Sequence, residues 1–389
     1  MNEMRYWLCL FGLNVLLASC QGSAVETAAP SGTSSTTEQG TVAQAEMPSA
    51  MEVPTQTLVP ERITIALDDL PQPFASESAS KSPNVINRPV DASLNVPEGF
   101  TVNVFAEGLQ KPRWLALTPE GDVLVTETRE NRIQRLIDSD GDGVAEGKET
   151  FASARNGLNI PFGMAFAAGA FFLGNTDEVR RFPFEAGQSA LEGEGDRIAT
   201  LPGGGYNQHW TRNVVVSPDG DQLYVSVGSK SNVSEESLPR ASVQTMGLDG
   251  SNMRTFASGL RNPVGLDFHP TTGELYTTVL FQSHSAALGL QFYDGGTFPE
   301  RYRNRAFAAF RGSWNRSAGT GYKIVFVPFD EAGRPAGGYE DFLTGFLVNP
   351  SGPTTWGRPV GLLVMPDGSL LVTEEANGVI YRTQYEENV

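Results

Sequence analysis

The chain has 389 residues, with 45 Asp and Glu against 28 Lys and Arg and a formal charge of −17. That balance excludes a nucleic-acid binder, which needs a concentrated positive surface to meet phosphates. It fits an exported protein kept soluble by self-repulsion.

Residues 1–19 read as a secretory signal. A short charged start precedes an apolar stretch over 6–18, and Leu17-Ala18-Ser19-Cys20 follows. The stretch is too short to span a bilayer comfortably. A small-residue site ending in cysteine is similar to a bacterial lipoprotein signal, in which Cys20 becomes the lipidated first residue. An ordinary signal peptide with an incidental cysteine is the alternative. Loss of the leader removes Cys9, so no internal disulfide can form. The expectation is an exported bacterial lipoprotein, anchored through Cys20 in the periplasm or at the cell surface. Residues 20–89 are rich in Ala, Ser, Thr, Pro and Gln. Such a segment buries too little apolar surface to offset its ordering entropy and reads as a flexible tether. Residues 90–389 are left for one large β domain or two smaller ones.

Beyond residue 90 the sequence repeats. "GLQKPRWLALTPEGDVLVTE" from Gly108, "GLNIPFGMAFAAGAFFLGNT" from Gly157 and "HWTRNVVVSPDGDQLYVSVGS" from His209 share one grammar of loop, apolar strand, turn and second strand. "GLRNPVGLDFHPTTGELYTTV" from Gly259 and "GRPVGLLVMPDGSLLVTEE" from Gly357 repeat it, with "SHSAALGLQFYDGG" from Ser283 a looser member. The starts fall about fifty residues apart, the spacing of four-stranded propeller blades. The expected fold is all-β, a six-bladed β-propeller, with a stacked β-sandwich as the alternative. The last unit, ending "VIYRTQY", lacks a fourth strand, and "GFTVNVFAEG" at 99–108 reads as the strand that completes it and closes the ring. The fourth unit starts at Gly259 and the fifth near Ser283, half the usual period, so the fourth blade is expected to be truncated by two strands.

Strands in a blade alternate direction. Loops before the first strand and between the second and third therefore share one face. That face carries Arg113, His209, Arg212, Arg261, Asn262, His284 and Arg358, and in an acidic protein such a mouth favours an anionic ligand. The opposite turns, such as "PEGD" and "PTTGE", read as solvated hairpin tips, and His269 in one of them takes no role.

"DSDGDGVAEGKE", residues 138–149, matches a twelve-residue calcium loop. Asp138, Asp140 and Asp142 stand at positions one, three and five, with the Val144 carbonyl seventh and Glu149 the bidentate acid at twelve. The alternative is an acidic glycine-rich turn that binds nothing. The loop follows a third strand, so it lies on the face opposite His209, about 17–20 Å away across a strand. Any Ca2+ there is structural. On the polar face, His209 alone could be a satisfied loop histidine, and Asn262 could cap its own Arg-Asn-Pro turn.

The motifs "GGGYNQHWTRNVVVSPDGDQLYVSVGS", "FASGLRNPVGLDFHPTTGEL", "SHSAALGLQFYDG", "RGSWNRSAGTGYKIVFVPF" and "GRPVGLLVMPDGSLLVTEE" resemble the glucose/sorbosone dehydrogenases that use pyrroloquinoline quinone (PQQ), over roughly residues 93 to 385. The resemblance implies a six-bladed propeller with PQQ at one mouth beside a calcium ion. It makes His209 the general base towards a sugar hydroxyl, with Arg261 and Asn262 at the quinone. Arg113, Arg316 and Arg358 would meet PQQ carboxylates, with His284, Trp314, Asn315 and Lys323 as further cofactor contacts. An indole could stack on the flat cofactor or simply fill core. One departure stands out. Between Val279 and Ser283 this chain has only "LFQ", where the family carries a long acidic segment that builds the calcium site beside PQQ. The family's histidine before "GSWNR" is Arg311 here.

The leading expectation is a PQQ-dependent dehydrogenase that oxidises a sugar or related alcohol and passes electrons to an external acceptor. A non-catalytic propeller of the same family, binding through the same mouth, is the alternative that the missing segment suggests. A calcium-dependent hydrolase of the lactonase type ranks last, because acids are scarce at the mouth.

Overall fold

Apolar strands punctuated by Gly, Pro and Asp turns fold into successive antiparallel sheets. The structure, a computed structural model, describes residues 52–387 except positions 67, 69, 73, 74, 76, 279 and 280. The signal and Cys20 lie outside the described residues. Among those residues no helix is long and apolar enough to cross a membrane.

Six sheets follow one another along the chain. The first comprises Leu115–Leu117, Val123–Glu127, Arg132–Ile137 and Gly147–Ala152. The second comprises Met164–Ala167, Ala170–Gly174, Glu178–Pro183 and Asp196–Thr200. Val214–Val216, Gln222–Val227, Ser242–Gly247 and Arg254–Ser258 form the third. The fourth has only Leu266–Phe268 and Leu275–Thr277, as the halved repeat predicts. The fifth is built on Ala287–Tyr293, Arg305–Phe310, Lys323–Val327 and Tyr339–Leu343. In the sixth, Pro359–Val364, Leu370–Glu374 and Val379–Tyr385 are joined by the early strand Phe100–Ala106, which pairs antiparallel with Val379–Tyr385. The first strand of each sheet lies beside the first strand of the next, and Pro359–Val364 returns to Leu115–Leu117.

Burial follows from this stacking. Val123–Glu127 and Leu370–Glu374 are buried throughout because sheets cover both faces. The outermost Arg254–Ser258 alternates with solvent. Apolar clusters fill gaps between neighbouring sheets, such as Leu124, Phe151, Phe171 and Phe182 between the first and second. Close backbone approach at the centre requires glycine: a Cβ at Gly361 would lie 2.3 Å from the Arg113 carbonyl oxygen.

The two strands missing from the fourth sheet leave space that aromatic side chains occupy. His269 packs on Phe292 and Phe329 at 4.9 and 5.6 Å, and the Tyr276 hydroxyl donates to the Gly333 carbonyl at 2.8 Å. His269 Nδ1 accepts the Thr271 and Thr272 amides and so caps its own turn. Asp267 accepts the Phe292 amide at 2.6 Å, tying the thin sheet to the fifth.

The predicted tether needs correction from residue 52 onward. Val53 is fully buried, Thr55–Thr57 pairs in parallel with Leu94–Val96, and Asn84–Val85 pairs with Thr354–Thr355. Arg62–Ile63 pairs with the outer edge of the fifth sheet. Composition underestimates this segment because its stability comes from main-chain pairing to exposed sheet edges, which polar side chains do not prevent.

Candidate functional site

A cavity of about 1040 Å³ opens on the face formed by loops before first strands and between second and third strands. His209, Arg261, Asn262, His284 and Arg358 line it with Arg113, so the alternation of strand direction does bring these side chains to one place.

His209 stands just before the third sheet. Its Nδ1 lies 3.1 Å from the Ser229 carbonyl oxygen and 2.8 Å from the Ser229 hydroxyl, which itself donates to the Ser231 carbonyl. A carbonyl can only accept, so Nδ1 carries the ring proton and Nε2 keeps its lone pair. Burial, and then the charge of Arg261, push the imidazole below its ordinary value of 6.5. Arg212 does not line the cavity. It is fully buried behind it and donates to the carbonyls of His209, Thr211 and Pro202, which fixes the loop.

Ser229 also donates its amide to the Arg261 carbonyl at 2.9 Å, so one residue ties both loops together. Arg261 Nε donates to the Asn232 carbonyl at 3.1 Å and Nη2 donates to the Asn232 amide oxygen. Burial lowers its pKa. Asn262 Oδ1 is buried without a hydrogen-bond partner among the described residues. Gly228 separates the two loops: a Cβ there would lie 2.5 Å from His209 Cβ and 2.6 Å from Asn262 Oδ1.

Across the cavity Glu375 is buried among three guanidiniums. Arg113 binds Oε2, Arg311 binds Oε1, and Arg358 lies 4.0 Å from Oε1. Burial by itself would raise the Glu375 carboxyl, but the charges of Arg113, Arg311 and Arg358 outweigh it and hold it at about 2. Arg113 also lies over Trp210, 5.0 Å from the ring centre, and Arg129 lies 4.6 Å over Tyr206.

The family model described as TrAA12-like matches residues 94–278 and 277–386. The chain belongs to the TrAA12-like family. This TrAA12-like protein is 26% identical over 368 residues to an uncharacterized protein of Borreliella burgdorferi, covering 76% of this chain and 92% of that one. Its fold matches the calcium structure of the family AA12 carbohydrate-active enzyme of Trichoderma reesei, with a TM-score of 0.62 at 17% identity over 78% of this chain and 100% of that one. The holo PQQ domain of Coprinopsis cinerea pyranose dehydrogenase matches at 0.60 and 18%, over 78% and 99%. The matched propeller begins at residue 94, so the segment from 52 to 93 is laid onto the TrAA12-like fold from outside the family match.

Other predicted residues fall in different places. Trp314 and Asn315 line the cavity, and Trp314 is 44% exposed, so it does not serve as core. Arg316 and Lys323 do not line it. Arg316 donates to Ser283, and Lys323 pairs with Asp341 because it has already entered its strand. Arg113 and Arg358 line the cavity but share Glu375 rather than standing free. His284 lies at φ +67, and burial followed by the charges of Arg261 and Arg316 lowers its pKa. Sequence reasoning missed Glu375, Lys111, Arg129, Ser229 and Asn232.

In the 138–149 loop, Asp138, Asp140, Asp142 and Glu146 gather their carboxylates within 4.8 Å. Glu149 does not join them. It lies in the strand Gly147–Ala152 opposite Arg135 and pairs with that residue at 3.2 Å, because the strand begins before the loop's twelfth position. Val144 donates its amide to Asp142. The group follows a third strand and lies on the face opposite the cavity.

Proposed function

We propose that this protein is an oxidoreductase that holds PQQ in the cavity and oxidises an alcohol carbon of a sugar, with His209 as general base. The observation that carries the reading is the fixed tautomer of His209: Nδ1 is bonded to Ser229, and Nε2 is left as a base in a cavity shared with Arg261 and Asn262.

The lining suits a polar, anionic, flat cofactor. Arg113 Nε, Gln208 Oε1, Asn262 Oδ1, Thr277 Oγ1, Thr278 Oγ1 and Ser285 Oγ are buried without partners among the described residues, which suits a polar ligand. Cationic side chains meet carboxylates, and the exposed indole of Trp314 offers a stacking face. When bound, PQQ supplies the acceptor for the hydride that leaves the alcohol carbon. The hydroxyl proton goes to Nε2 of His209, and the substrate leaves as the carbonyl compound. Arg261, held by Asn232, presents a fixed positive charge where negative charge grows. An external acceptor then takes the electrons.

Supporting roles follow. The group Asp138, Asp140, Asp142 and Glu146 would hold a structural Ca2+ on the far face. Cys20 would carry the lipid that anchors the exported protein.

Reconstitution tests the reading. Full-length protein loaded with PQQ should reduce a dye when given aldoses, and His209→Ala should lose turnover while retaining PQQ. No retention of PQQ at micromolar concentration would overturn it.

A further inference from the structure

The acidic segment that the resemblance leads one to expect at the cavity is absent, and the structure shows what stands in its place. Between residues 260 and 288 the only acids are Asp267 and Glu274. Asp267 is spent on the Phe268 and Phe292 amides and the Gln291 side chain. Glu274 lies in the far-face turn beside Tyr276. Among the described residues Glu375 is the one carboxylate lining the cavity, and Arg113 and Arg311 occupy its two oxygens. Among the described residues, no group of three or more His, Cys, Asp or Glu side chains that could hold a metal gathers there.

Calcium takes six to eight oxygens, and carboxylates neutralise its charge. This lining instead offers Lys111, Arg113, Arg129, Arg261, Arg311 and Arg358 against one carboxylate. A divalent cation placed among them would meet repulsion from these groups, and both oxygens of Glu375 are already taken by Arg113 and Arg311. Arg113, Arg311 and Arg358 surround Glu375 and leave an excess of positive charge. Lys111, Arg129 and Arg261 make no ion pair with a carboxylate among the described residues, and Arg261 is oriented by a neutral amide. The lining therefore does not fit calcium and does fit a polyanion.

We infer that the cavity binds its anionic quinone without a calcium ion beside it, the guanidinium and ammonium groups of the lining supplying the compensating charge. The inference rests on the reading of the cavity as a PQQ site. It separates two kinds of divalent-ion dependence that would otherwise be confused: the far-face loop can respond to calcium, and the cavity does not.

The test is a PQQ titration of the full chain, followed by cofactor absorbance and tryptophan quenching, in EDTA and in millimolar calcium. It is run on the wild type and on an Asp140→Asn/Asp142→Asn variant, which removes the far-face group from the comparison. In that variant the two Kd values should agree to within about twofold, and Arg261→Ala should weaken binding about tenfold or more in both buffers. Binding that collapses in EDTA and returns with calcium in the loop variant overturns the inference and leaves the PQQ reading standing. Binding in neither buffer removes both.

Discussion

Nδ1 of His209 and the carbonyl oxygen of Ser229 are 3.1 Å apart, and this contact decides which ring nitrogen is basic. With Nε2 the base, His209→Ala should lower kcat/KM about 10²- to 10⁴-fold. Ser229→Ala keeps the carbonyl and loses the hydroxyl, so a fall of about tenfold or less is expected. The pH profile carries the sign. Burial and Arg261 lower the His209 pKa, and the neutral ring is the active form, so activity should hold below pH 6.5 before falling. Arg261→Gln should move that acid limb upward, measured as kcat/KM against pH.

Gly228 tests placement separately from chemistry. The added methyl of Gly228→Ala would press on both His209 Cβ and Asn262 Oδ1. Stability should drop by about 1–3 kcal/mol, while turnover should fall about 100-fold, because small displacements of a catalytic group are costly. Thermal melts and dye reduction on one preparation check this. Unchanged turnover would mean that His209 is not positioned here.

Glu375 sets an acid limit. Its folded pKa of about 2 lies below the ordinary 4.5, so its contribution of about 3 kcal/mol is present above pH 4.5 and lost as pH falls towards 2. Glu375→Gln leaves buried arginines uncompensated and should cost about 3–5 kcal/mol at neutral pH. Urea unfolding at pH 7 and pH 3 should show the difference between wild type and variant shrinking with acid.

The far-face loop makes a discriminating case. Saturating calcium at about a hundred times Kd should stabilise the protein by about 2.7 kcal/mol. Glu146→Gln should diminish that shift, whereas Glu149→Gln should leave it intact, since Glu149 is paired with Arg135. Calorimetry with and without EDTA distinguishes the two, and the reverse pattern would restore Glu149 as the ligand.

The ring of strands and the polar mouth were legible because hairpin grammar fixes both strand direction and the side on which each loop emerges. His209, Arg261 and Arg358 follow from that parity alone. Glu375 was not legible, because "LLVTEE" reads as a strand end and an acid there looks solvated. Comparison with "VLVTET" would have exposed it: Glu374 matches Glu127, each accepting an amide from the preceding loop, and Glu375 falls where Thr128 faces the cavity. Glu149 misled for the opposite reason. A linear motif counts residues and cannot tell where a strand will claim them. The segment from 52 to 89 was misread because its strands pair with edges remote in sequence, Thr55–Thr57 with Leu94–Val96 and Arg62–Ile63 and Asn84–Val85 with strands beyond residue 338.

The two-stranded fourth sheet has one further consequence. It has two strands where the other five sectors have four or more, so it holds fewer main-chain bonds and local opening should begin there. The loops flanking it carry Arg261 and His284, whereas Arg113, Arg311 and Arg358 stand on fully built sheets. An anion gripped from both sides would span the weak sector like a cross-brace. The cofactor would then be a strut of the ring as well as its reagent, and its departure would be felt first as loosened amide protection in the fourth sheet.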